Sequence, residues 1–97
     1  MAIDYSSVRR EIDEALGSIG RIRIIAELAK VQDRRLTVYA ISALTGLKRT
    51  DVKSNLIHLV SIGWVSEYRS LPIKYQINLN NSNAVRWTEF LRSTGYL

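Results

Sequence analysis

The chain has 97 residues, a net charge of +5, 46% hydrophobic and 24% charged residues, and no cysteine. This length holds one domain with a small core of its own, and the composition is that of a folded chain rather than a disordered tail. A disulfide framework, a thiolate metal site and a cysteine nucleophile are excluded; no run of about 18 apolar residues offers a bilayer span, and Arg9, Arg10, Glu11, Asp13 and Glu14 interrupt any signal-peptide core, so the cytoplasm is the expected compartment.

The charge is uneven. Arg9 and Arg10 against Asp4, Glu11, Asp13 and Glu14 leave residues 1–20 at −2, so the remainder carries +7. The basic part can face a polyanion while the start of the chain does something else; a solvated surface with uneven charge is the simpler alternative. In the first segment Tyr5, Val8, Ile12, Ala15 and Ile19 recur at spacings of three and four, a heptad seam in a helix over about 6–16. Ser6 or Ser7 can cap it, Gly17 and Gly20 interrupt it, and its acidic residues read as an exposed face. Two heptads sustain no coiled coil alone, so the seam requires a partner, either the rest of the domain or a second subunit.

A second helix is expected over about 20–31, with Arg23, Glu27 and Lys30 on one polar stripe and apolar residues around the rest, which implies burial on two sides. After the polar turn 32–35, Leu36-Thr37 reads as a very short strand. Thr37 then caps a helix from Val38 to Thr45, with Val38, Ile41 and Leu44, or Ala40 and Leu44, facing inward and Gly46 stopping it. A longer helix follows from about Arg49 to Ile62. Its apolar residues are Val52, Leu56, Leu59 and Val60, its opposite face Arg49, Thr50, Lys53, Ser54, Ile57 and His58, and Gly63 ends it.

Beyond Gly63 the period becomes extended. Residues 64–69 and 73–79 read as two strands around Ser70-Leu71-Pro72, with Ile73, Tyr75, Ile77 and Leu79 on one face; the first strand is ambiguous, because Glu67 shares a face with Val65. Asn80-Asn81-Ser82-Asn83 offers caps for a last helix over about 84–94, with Ala84, Trp87, Leu91 and Thr94 on one side and Gly95 at its end.

A short helix, a tight turn containing Gly and a second helix with a basic exposed face are the ingredients of a helix-turn-helix, and the hairpin that follows makes it a winged helix. The expected fold is therefore mainly α with α+β character, a winged helix-turn-helix with additional N- and C-terminal helices. One domain spans 1–97: a dimerising helix over 1–19, the helical core over 20–63, the wing over 64–79 and a second dimerising helix over 82–95. The run 16–25 (LGSIGRIRII), with Thr45-Gly46-Leu47 and then Val52, Leu56, Leu59, Gly63 and Val65, resembles the small archaeal winged-helix regulators related to the ArsR superfamily. The resemblance covers about residues 16–79. It implies sequence-specific duplex DNA binding by a homodimer joined through terminal helices. Metal-sensing members use cysteine or clustered histidine ligands, and a chain with no Cys and only His58 offers neither, so no metal or other cofactor is expected.

A helix fits the major groove of B-form DNA and reads base edges from its N-terminal residues, here Arg49, Thr50, Lys53 and Ser54. Arg49 matches the O6 and N7 acceptors of guanine. Thr37 and Tyr39 are placed for phosphates, Arg69 and Lys74 flank the wing, Arg34 and Arg35 can add phosphate contacts, and His58 falls toward the far end of the same helix. The plain alternative for each is a solvated charge, and for Trp64, Tyr68, Tyr75 and Trp87 it is core packing rather than base stacking. The expected dimer interface is Tyr5, Val8, Ile12, Trp87 and Leu91. The short wing and the apolar Ile57 on the DNA-facing side support another reading, a winged helix that binds a protein partner; a nucleoid-type, non-specific DNA binder is a third. Nothing supports an enzyme: Gly17-Ser18-Ile19-Gly20 is too short for a phosphate loop and follows a helix, and no base and nucleophile assemble around His58.

Overall fold

The computed structural model describes Glu11 and residues 13–97. Residues 13–16 are helical and bend at Gly17 and Ser18 into α1 (Ile19–Lys30). There follow β1 (Leu36–Thr37), α2 (Val38–Thr45), α3 (Arg49–Ser61), β2 (Val65–Tyr68), β3 (Lys74–Ile77) and α4 (Ser82–Ser93). Tyr5 and Val8, with the proposed Ser6 or Ser7 cap, lie outside the described residues, as does Ile12.

Local chemistry explains the boundaries. The Ser18 side chain caps α1 by accepting from the Arg21 amide, Thr37 caps α2 by accepting from Ala40, and Asn81 caps α4 by accepting from Asn83 and Ala84. Gly46 ends α2 at φ 76°, in the left-handed region where a side chain is costly, and so turns the chain into α3. α1 is buried on two sides as its wide apolar sector requires: Ile24, Ile25 and Leu28 are fully covered, beside Ile41 of α2 and Val52, Leu56 and Leu59 of α3. Burial of each such side chain contributes about 1.5–3 kcal/mol.

The three strands form an antiparallel sheet in the order β1-β3-β2. Thr37 and Tyr68 both pair with Lys74, from opposite sides. Tyr75 and Ile77 face the core, whereas Ile73 and Leu79, one and two residues beyond the strand ends, are 43% and 44% exposed. Glu67 resolves the ambiguity of the first strand: it sits half-buried opposite Tyr75, at the margin of the core.

Three expectations are corrected. Leu44 is 53% exposed, because it lies in the last turn of a two-turn helix that is already leaving the core; Ile41 supplies the inward contact. In α4 the buried seam is Ala84, Thr88 and Leu91, so Thr94 is exposed and Trp87 only partly covered. Thr88 is tolerated inside because its hydroxyl donates to the Ala84 carbonyl at 2.9 Å.

The third correction concerns the acidic segment, which points inward in part. Glu11 accepts from the indole Nε1 of the fully buried Trp64 at 2.7 Å and from Asn83 Nδ2 at 2.9 Å. Glu14 lies 2.9 Å from His58 Nδ1 and 3.7 Å from an Arg21 guanidinium nitrogen, and Arg21 also donates to the Glu14 carbonyl. Asp13 is exposed.

Candidate nucleic-acid interface

α3 divides its circumference three ways. Val52, Leu56 and Leu59 anchor it in the core. Asn55 and His58 turn toward the segment before α1: Asn55 Oδ1 accepts from Ser18 Oγ at 3.2 Å and from Arg21 Nε at 3.0 Å, while His58 meets Glu14. Gly20 makes that approach feasible, since a Cβ there would stand 3.0 Å from Asn55 Nδ2 and 3.5 Å from Leu47 Cδ1. The remaining face, with Arg49, Thr50, Lys53, Ser54 and Ile57, is exposed.

Against the expected site, Arg49, Thr50, Lys53 and Ser54 come together on this exposed surface. Tyr39, 66% exposed at the start of α2, stands under the Arg49 guanidinium at 4.9 Å, which ties the two helices on their outer side. Thr37 spends an oxygen lone pair on capping α2, which leaves its hydroxyl proton for an acceptor, and the sheet register sets it beside Lys74. Arg69 extends from the wing with its side chain 86% exposed and pairs with Glu67 at 3.1 Å. Arg35 stacks over Tyr68 at 3.6 Å, so it is partly committed within the fold, and Arg34 is exposed. Among the described residues the ion pairs engage Glu14, Glu27 and Glu67, and none involves Arg49 or Lys53.

His58 is not part of this face; its contact with Glu14 makes it a fastener between α3 and the N-terminal segment. Leu91 is likewise withdrawn from the expected dimer surface, because at 3% exposure it belongs to the core of its own chain. Trp87 stacks on Phe90 with ring centroids 5.0 Å apart, and Phe90 is 52% exposed.

Two features escaped sequence reasoning. Lys48, exposed at the N-cap of α3, adds a cation at the tip of the helix; a non-capping residue at a cap position next to Arg49 was the available signal. The second is a cleft of about 560 Å³ between α2, α3 and the hairpin, lined among others by Val38, Tyr39, Ile57, Ile73 and Tyr75. Its residues lie far apart in the chain, and only the Ile57 position hinted at it. Burial and, less strongly, the nearby Glu67 carboxylate hold the Tyr75 hydroxyl above its usual pKa range, with Arg69 acting the other way.

The helix-turn-helix formed by α2 and α3, backed by α1 and followed by a β2–β3 hairpin that β1 completes as a third strand, has counterparts among solved structures. HlyU from Vibrio cholerae N16961 superposes with a TM-score of 0.74 at 18% identity, over 96% of this chain and 97% of that one. The homodimeric winged helix-turn-helix DNA-binding domain of Mb0332 from Mycobacterium bovis gives 0.70 at 22% identity, over 98% and 87%. The fold is a winged helix-turn-helix. No family model and no curated relative matches the chain, and these two structures, from Vibrio and Mycobacterium, do not support the expected archaeal origin. Within this winged helix β2 and β3 form the hairpin and α3 is the second helix of the helix-turn-helix. Among the described residues no helix is long and apolar enough to cross a membrane.

Proposed function

We propose that this winged helix is a homodimeric, sequence-specific binder of double-stranded DNA that regulates transcription, with α3 in the major groove and no catalytic activity. The observation that supports it is the exposed face of α3, where Arg49 and Lys53 stand without a carboxylate partner among the described residues, beside Thr50 and Ser54. Phosphate contacts orient such a helix and base-edge contacts discriminate. Thr37, Tyr39 and Lys74 flank the helix for the phosphate role, Arg49 is the base reader, and Arg69 reaches out from the wing. Two copies would present α3 to successive major grooves about 34 Å apart on a palindromic site. The homodimeric state of the Mycobacterium bovis domain and the exposed Phe90 beside Trp87 support pairing through α4 and the N-terminal segment.

Selection from a random duplex pool tests the reading: enrichment of a palindrome is expected. Affinity for the selected duplex should fall steeply with salt, and Arg49→Ala and Lys53→Ala should both weaken it. If neither substitution changes binding, α3 is not the reading element. The exposure of Ile57, 69% on the same face, favours a protein partner as the second reading; that reading gains if no duplex is retained even at low salt.

A further inference from the structure

The cleft between α2, α3 and the wing has the chemistry of a small-molecule site. Its volume of about 560 Å³ falls in the range of pockets that hold compact organic ligands, roughly 300–1,000 Å³. Ile57, Ile73, Val38 and Pro72 give it apolar walls, Tyr39 and Tyr75 contribute rings, and Arg49 and Lys53 set two cations at its border. Among the described residues no carboxylate lines the cleft. Phosphate alone would use the cations and leave the apolar walls wet; a neutral hydrocarbon would leave two cations beside a desolvated surface. An aromatic ring bearing a carboxylate satisfies both, with the ring among Ile57, Ile73 and the tyrosines and the carboxylate accepting from Arg49 or Lys53 in a charge-assisted hydrogen bond.

We propose that this cleft binds a small aryl carboxylate. The assignment of the site stands on the cleft itself, and its consequence rests on the DNA reading: Arg49 and Lys53 are the cations proposed to meet DNA, so acid and duplex compete for them. The bound acid is then an effector that releases the protein from DNA.

Naphthalene-1-acetate is a suitable probe, with the isosteric, uncharged naphthalene-1-acetamide as its control. Titration calorimetry on the full chain without DNA should show saturable binding of the acid and at least tenfold weaker binding of the amide. Arg49→Ala and Lys53→Ala should each weaken the acid by about fivefold or more, and Ile57→Glu, at an exposed helical position, should abolish it while circular dichroism stays unchanged. Equal binding of acid and amide, no binding of either, or indifference to all three substitutions would overturn the site. In a second measurement, rising acid should displace a selected duplex. Saturable acid binding that leaves duplex affinity unchanged refutes the effector role and retains the site; loss of the DNA reading through failure to bind any duplex leaves the calorimetric result standing.

Discussion

At the scale of single residues, charge alone does not say what a side chain does here. His58 and Arg49 lie on the same helix, yet the first fastens α3 to Glu14 and the second faces outward. His58→Ala should leave duplex affinity within about twofold while lowering stability by roughly 0.5–1 kcal/mol, the scale of a half-exposed pair; urea denaturation and a binding titration on the same variant check both. Arg49→Ala should do the reverse, relaxing discrimination at one base position by about 1–3 kcal/mol. Glu11 and Asp13 make a similar contrast. Glu11→Ala strands the Trp64 indole N–H inside the core and should cost about 1–3 kcal/mol, whereas Asp13→Ala at an exposed position should cost less than about 0.5. Tyr75 gives the pH dependence. Its hydroxyl stays neutral in the fold to a higher pH than in the unfolded chain, so its contribution is intact below about pH 10 and is lost as pH rises through the folded value. Denaturation midpoints from pH 8 to about 11 should fall less for Tyr75→Phe than for the parent chain.

At the scale of elements, most of the architecture was legible in the sequence because periodicity and punctuation agreed. Thr37 and Gly46 bracket α2, and Val52, Leu56 and Leu59 mark the buried side of α3. What stayed hidden depended on partners distant in the chain. Glu11 and Glu14 read as a solvated face because nothing local reveals that Trp64, Asn83, Arg21 and His58 stand opposite them. The α4 seam was misplaced by one position because Trp87 outweighs Thr88 in any hydrophobic count, while the hydroxyl of Thr88 finds an acceptor in its own helix. The candidate site was legible as a set of cations and hydroxyls on α3, and its cleft was not, since Val38, Ile57 and Ile73 meet only after the hairpin folds back. Gly46 and Gly20 are needed for different reasons, and substitution separates them. Gly46→Ala meets open space but keeps the left-handed backbone, so it should cost about 1 kcal/mol, with Gly46→Asn milder. Gly20→Val drives methyl groups into Asn55 and Leu47 and should cost about 1–3 kcal/mol, read from denaturation midpoints.

At the scale of the whole molecule, Glu11 and Glu14 of the acid-rich first 20 residues help to hold the chain together, while the +7 carried by residues 21–97 is the part that, in the proposed reading, meets a polyanion. Analytical ultracentrifugation should show a dimer at micromolar concentration; a monomer persisting at high micromolar concentration would refute the paired arrangement.

The Glu11–Trp64 bond also makes the molecule self-reporting. Trp64 is wholly enclosed at the root of the wing, with its N–H held by a residue 53 positions earlier in the chain, whereas Trp87, the other tryptophan, sits nearer the surface. The emission wavelength of Trp64 therefore records whether the N-terminal segment is docked. With Trp87→Phe in place, a single optical signal would follow release of that segment in solution, without any label.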